Sequence, residues 1–189
     1  QRVEGLSFST AVLTNLTQDH LDYHGSMEEY YAAKRLLFTR HAPGTALINT
    51  DDEYGRCLAA DADVRARVIT YGRNPGADVR YQLLALDVHG MHAELHTPWG
   101  NAQLVLPLIG EFNLANVCAA IAVLTLQGLE FSDLCQAAVH LQPVAGRMEL
   151  YVKDDAPLAV VDFAHTPDAL RNVLQALQPW HRPLTTVFG

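Results

Sequence analysis

The chain is poor in several features that would assign it at once. Its 189 residues hold three cysteines, Cys57, Cys118 and Cys135, an odd number with no CxxC pair. That excludes a disulfide framework and a two-cysteine zinc or redox hook. Each cysteine stands in an apolar, helix-like stretch, so buried free thiols in a reducing cytosol are expected. Basic charge is also scarce. With 13 Lys+Arg against 21 Asp+Glu the formal charge is −8, which argues against nucleic acid or an anionic membrane as the main partner but leaves room for a small local phosphate site. No apolar run reaches the ~18 residues of a membrane span, and no signal peptide opens the chain. There is no GxxxxGK[ST] loop, no GxGxxG, no Gly-x-Ser-x-Gly elbow and no Cys/His nucleophile pair. An ATP-using version of this chain is therefore expected to have its phosphate loop outside it.

What is present is the pattern of an ordinary globular protein, 49% hydrophobic and 18% charged. Strands are expected at 9–16, 45–50 and 66–72. A helix from about Ser26, capped by the Ser26/Glu29 capping box, and a short helix in 51–62 alternate with them, the signature of a parallel α/β sheet. From 79 to 110 polar and apolar residues alternate, with turns at His89-Gly90 and Pro98-Trp99-Gly100, as in a small antiparallel meander. An Ala-rich helix over 111–128 ends on a glycine, and a second helix is expected behind Ser132 as its cap. Strands in "RMELYVK" and "LAVVDF", a proline-started helix in "TPDALRNVLQALQ" and a last strand in "LTTVF" complete the order. The fold class is α/β, a mostly parallel sheet flanked by helices with a small antiparallel meander. Starting at Gln1 and stopping in "TTVFG", the chain reads as a piece of a longer enzyme.

Four segments concentrate chemistry. Asp19, His20, Asp22 and His24 follow the first strand, where parallel α/β sheets bind ligands. Imidazole with carboxylate suits Mg²⁺, Mn²⁺ or Zn²⁺, and a solvated polar turn is the alternative. One helix later Lys34 has Tyr30 and Tyr31 a turn before it and Leu37 and Phe38 a turn after, so it is expected on an apolar stripe. Burial there favours a neutral amine able to take up CO₂ as a carbamate; a lysine snorkelling to water is the alternative. Asn113 and Asn116, at i and i+3 near a helix start, either grip a nucleotide or cap the helix. Arg147, after a loop, either clamps a phosphate or ribose or is a surface arginine. Asp162 at a strand end and His165 before a helix are typical ligand contacts of a βα turn, or its capping residues.

The stretches "TNLTQDHLDYHGSMEEYYAAKRLLF", "GEFNLANVCAAIAVL", "LQPVAGRMEL" and "VVDFAHTPDAL" together resemble the Mur ligases, in order and over nearly the whole chain. The likeness is strongest to the branch that adds the third residue of the peptide. It implies ATP-driven amide formation in cell-wall precursor synthesis. An acyl phosphate forms on the D-Glu carboxylate of UDP-MurNAc-L-Ala-D-Glu and is displaced by the amine of meso-diaminopimelate or L-lysine. By resemblance Lys34 is a carbamylated lysine and, with His20, a Mg²⁺ ligand, Asp19 standing beside it. Two Mg²⁺ ions, ATP and CO₂ are then the cofactors. Asn113, Asn116, Arg147 and Asp162 match nucleotide-holding positions, with His165 lining the same pocket, and Arg2 matches a contact to the UDP-sugar. The whole of 1–189 is read as a partial central domain, with 79–110 a sub-sheet of it. The N-terminal UDP-binding domain, the phosphate loop and the C-terminal amino-acid-binding domain are expected to be absent, and the piece alone to be inactive.

Three rivals remain. A folylpolyglutamate or cyanophycin synthetase lacks the DYHG continuation. A carbamate-bridged metal hydrolase using Lys34, His20 and His24 needs further histidines, and His89, His92 and His96 lie in the meander. A non-catalytic interaction domain would not bring Asn116, Arg147 and Asp162 into one cleft.

Overall fold

The computed structural model describes residues 5–17, 25–41, 43–154 and 156–188. Among these, a six-stranded sheet runs in the order β1 (Thr10–Leu13), β2 (Thr45–Asn49), β3 (Arg67–Gly72), β4 (Val79–Asp87), β5 (Gly90–Thr97), β6 (Gly100–Leu106). The first four strands pair in parallel and the last three antiparallel. The meander is thus no separate sheet. Tyr71 pairs with Val79 and Gly72 with Arg80, which joins it edge-on to the parallel strands.

Helix α1 (Met27–Thr39) starts where expected, with Ser26 Oγ accepting from the Glu29 N–H at 3.2 Å. Helix α2 (Glu53–Ala59) is capped by Asp52, whose carboxylate also accepts from the Leu16 N–H at 3.1 Å. This second bond fixes the chain leaving β1. Alternation along β2 divides the core: Leu47 faces one side, Ala46 and Ile48 the other. On the latter side they meet Phe38 of α1 and Leu58 of α2.

The Leu47 side is covered by α3 (Glu111–Leu126). Its Leu114, Ala115, Cys118, Ala119, Ile121 and Ala122 pack against Tyr71, Val79, Tyr81, Met91 and Leu95. A short helix α4 (Phe131–Ala137) and a 3₁₀ turn, Ala138–His140, lean on α3 and β6. Glu130, not Ser132, occupies the cap position of α4, and no side chain caps it. Ser132 lies inside the helix, because the extended backbone of Glu130 lets the chain enter α4 two residues earlier than the Ser signal implies.

The remainder forms a smaller unit. Strands β7 (Glu149–Tyr151) and β8 (Ala159–Val161) pair antiparallel, and helix α5 (Pro167–Leu177) follows, capped by Thr166. Met148 and Leu177 close over Ile109 in a third core cluster, which docks this unit beside the start of α3. The expected strand in "LTTVF" does not form: Leu184, Val187 and Phe188 are exposed, and the run pairs with no strand among the described residues. The three cysteines are free, as expected, but Cys57 is exposed, on the outer side of α2. Cys118 is buried, and burial pushes its thiol well above the usual value.

Candidate functional site

The site is built on the start of α3. Gly110 turns the chain into the helix at φ +91°, a conformation that favours glycine. The Asn113 N–H then donates to the Gly110 carbonyl at 2.8 Å, and Asn113 Nδ2 donates to the Ile109 carbonyl at 2.8 Å. With its amide nitrogen engaged, Asn113 lines the site, and its side-chain carbonyl oxygen accepts no hydrogen bond among the described residues. Asn116, one turn on, is exposed.

Both asparagines line one cavity of roughly 410 Å³. Val117, Ala120, Ile121 and Leu124 continue the same helix face, and Leu134, Ala137 and Ala138 form the opposite wall. Leu141, Gln142, Val144 and Arg147, on the strand-like segment leading to the smaller unit, close the mouth. This explains why α3 is apolar nearly all round: one face meets the sheet, the next faces the cavity. A long apolar trough ending in two amides and a guanidinium suits a flat heterocycle carrying a polar or anionic tail.

Arg147 is held by its backbone on every side. The Gly146 N–H donates to Glu149 Oε2 at 2.9 Å, the Arg147 N–H to the Val144 carbonyl at 2.9 Å, and the Met148 N–H to Asp162 Oδ2 at 2.9 Å. Gly146 and Met148 both have positive φ, +69° and +47°. The second is a strained conformation for a side-chain-bearing residue. Glu149 also accepts from the Tyr151 hydroxyl at 2.7 Å, and the Gly146 N–H, followed by that hydroxyl, holds its carboxyl below the usual range. The Arg147 guanidinium lies 5.1 Å from the Phe163 ring centroid and has no carboxylate partner among the described residues.

Asn113, Asn116 and Arg147 therefore line the same cavity. Asp162 stands behind them, not in the cavity wall. Its Oδ2 accepts from the Met148 N–H and its Oδ1 from the Ala164 N–H at 2.8 Å, so both oxygens serve the backbone. His165 is exposed, with Nδ1 3.0 Å from the Phe163 carbonyl oxygen and its ring edge-on to Phe163 at 5.3 Å; it does not line the cavity.

Lys34 departs from expectation. It is exposed on α1, with Nζ 5.2 Å from the Tyr30 ring centroid. The buried stripe of α1 runs through Phe38, with Tyr31 and Leu37 packed beside it; Lys34 shares that side of the helix, yet its side chain is exposed. Its apolar neighbours in sequence do not enclose it. Arg2, Asp19, His20, Asp22 and His24 lie outside the described residues. Among the described residues no three His, Cys, Asp or Glu side chains gather as a metal site, so His89, His92 and His96 do not converge. Phe163, Glu149 and Gln142 were not singled out by sequence. The Gly-Arg-Met turn and the Asp-Phe step were visible, but nothing in their pattern showed that one folds onto the other.

A six-stranded α/β sheet is joined to a smaller α/β unit, with a cleft edged by two amides and a guanidinium at the junction. The chain belongs to the Mur ligase family: residues 1–124 match the Mur ligase middle domain, and residues 146–189 match the "Mur ligase, glutamate ligase domain". All 189 residues were expected to be central domain; the second match begins at Gly146, where the smaller unit starts. Among its relatives is the UDP-N-acetylmuramoyl-L-alanyl-D-glutamate--2,6-diaminopimelate ligase of Chromobacterium violaceum, 45% identical over 192 residues that cover 100% of this chain and 39% of the relative. The Vibrio parahaemolyticus protein of the same name is 46% identical over 181 residues, 94% of this chain and 36% of that one. A solved structure of a ligase of that name superposes with a TM-score of 0.77 at 34% identity, covering 94% of this chain and 37% of that one. The chain thus spans well under half the length of the relatives it matches.

Proposed function

We propose that the chain is part of an ATP-dependent ligase that joins a diamino acid to the D-Glu carboxylate of UDP-MurNAc-L-Ala-D-Glu, in the cytoplasm, during peptidoglycan precursor synthesis. The observation that carries this reading is the gathering on one largely apolar cavity of Asn113, Asn116 and Arg147, an arginine with no ion pair among the described residues. The names of the relatives favour 2,6-diaminopimelate over L-lysine as the amino acid added.

In this reading the adenine ring lies along the apolar wall of α3, the asparagine amides hydrogen-bond its polar edge, and Arg147 meets phosphate oxygens as charge shifts during transfer. The substrate carboxylate attacks the terminal phosphate, giving an acyl phosphate and ADP. The incoming amine then displaces phosphate to form the amide. Asp162 keeps the Arg147 turn in place, and Arg2 contacts the UDP-sugar.

The metal part of the proposal rests on donor chemistry. Asp19 and His20 offer a carboxylate and an imidazole suited to Mg²⁺, and Lys34, as a carbamate, would add a second anionic donor. Bound there, Mg²⁺ would offset the repulsion between phosphate oxygens and the attacking carboxylate. The exposure of Lys34 removes burial as the reason for a neutral amine, so its carbamylation rests on the family resemblance. Lys34→Ala should abolish ligation and Lys34→Glu should recover part of it; full activity of Lys34→Ala at low bicarbonate would remove the carbamate from the account.

The test of the function is ADP release by the full-length protein given ATP, Mg²⁺ and UDP-MurNAc-L-Ala-D-Glu. Release that requires added meso-diaminopimelate, with the tripeptide product formed, is the expected result. Release dependent on L-lysine would change the amino acid. Release with neither would turn the assignment toward another amide ligase of the folylpolyglutamate or cyanophycin type.

A further inference from the structure

Phe163 is a large aromatic left 64% exposed at the end of β8, where burial gives no reason for it. Its ring instead faces the Arg147 guanidinium at 5.1 Å, within cation–π range. From its other side the His165 ring meets it edge-on at 5.3 Å, and His165 Nδ1 lies 3.0 Å from the Phe163 carbonyl oxygen. The Phe163 ring is therefore held by its own loop, which Asp162 fastens through the Ala164 N–H. The backbone of Arg147 is fixed by three hydrogen bonds and two left-handed neighbours, but its long side chain has no ion pair among the described residues. A free arginine samples many rotamers, and ordering it on a ligand costs entropy.

We infer that Phe163 is a positioning residue: its ring holds the Arg147 guanidinium at the mouth of the cavity, so that the arginine meets the anionic end of the bound nucleotide already ordered. The inference rests on the reading of this cavity as a nucleotide site. The contact leaves every N–H of the guanidinium available, since a ring face takes none of them, unlike a carboxylate partner. An aromatic partner thus orders the arginine without neutralising it, which an anion-binding arginine needs.

The test compares Phe163→Leu and Phe163→Tyr in the full-length protein, titrating ATP and adenosine calorimetrically. Leucine keeps apolar bulk and removes the π face; tyrosine keeps both. Phe163→Leu is expected to weaken ATP binding about two- to fivefold, the range of an exposed cation–π contact. Adenosine binding should not change, and Phe163→Tyr should match the unmodified protein. The exposed position predicts an unchanged thermal midpoint for both variants. Equal ATP affinity in Phe163→Leu, or equal loss of ATP and adenosine, would overturn the positioning role. Failure of the unmodified protein to bind ATP would overturn the nucleotide reading itself, and is read out separately.

Discussion

Asp162 illustrates how a carboxylate can shape a cavity it does not line. Its two oxygens accept the backbone N–H groups of Met148 and Ala164 and so tie the end of β8 to the left-handed residue beside Arg147. Asp162→Ala leaves both donors unsatisfied, and each costs about 1–3 kcal/mol where water does not replace the bond. The expected outcome is a lower urea midpoint together with weaker ATP binding; unchanged values of both would show that the turn holds itself. At this scale the sequence was informative where one element supplies the whole geometry. Asn113 and Asn116 were readable because i, i+3 on one helix is a fixed spacing. Phe163 was not, because its partner Arg147 lies in the turn before β7 while Phe163 follows β8, and nothing local in either segment shows that they meet. For Lys34 the sequence showed the helix side but not the burial: a residue one turn before Leu37 and Phe38 can still be exposed, because burial depends on what packs over that turn.

Element by element, the close approaches explain why the core of the sheet has its shape. Helix α2 presses on the end of β2 so tightly that a Cβ on Gly55 would sit 1.8 Å from the Asn49 carbonyl oxygen. Asn49 in turn donates from Nδ2 to the Thr14 carbonyl at 2.7 Å, which ties the end of β2 to the residue after β1. Gly55→Ala should therefore destabilise by about 3 kcal/mol, the upper part of the overpacking range, measured by equilibrium denaturation. A loss below about 0.5 kcal/mol, the level of an ordinary surface change, would mean that α2 shifts freely. Element types were legible from periodicity and caps for β2, β3, α1, α3 and α5. What was not legible was pairing: two residue pairs, Tyr71 with Val79 and Gly72 with Arg80, turn a meander that reads as independent into the edge of the main sheet. The last apolar run reads as a strand by composition but pairs with none of the described strands.

For the whole molecule, titration follows from a few engaged groups. Asp61 is held below the usual carboxylate value of 3.8 by the Arg35 guanidinium, and Glu149 below 4.5 by the Gly146 N–H and the Tyr151 hydroxyl. Both are depressed in the folded state. Their stabilisation is present above the ordinary values and is lost as pH falls through the folded ones. Tyr71 and Tyr81 are raised, chiefly by burial, and Asp51 accepts the Tyr81 hydroxyl at 3.0 Å. Their stabilisation is complete below about 10 and is lost as pH rises beyond it. Stability should thus be flat near neutrality and fall below about 4.5 and above about 10. Glu149→Gln should flatten part of the acid limb in a pH series of thermal midpoints; an unaltered acid limb would show that the Gly146 bond contributes nothing.

The central claim is that the cavity between α3 and the 141–147 segment holds the adenine nucleotide of an amide-forming ligase. Photolabelling of the full-length protein with 8-azido-ATP, followed by peptide mapping, locates the base without relying on turnover. The account predicts label on residues within 113–147, removed by excess ATP and reduced in Asn116→Leu. ATP-protected label confined to peptides outside that region would contradict it, and the cavity would then belong to some other ligand.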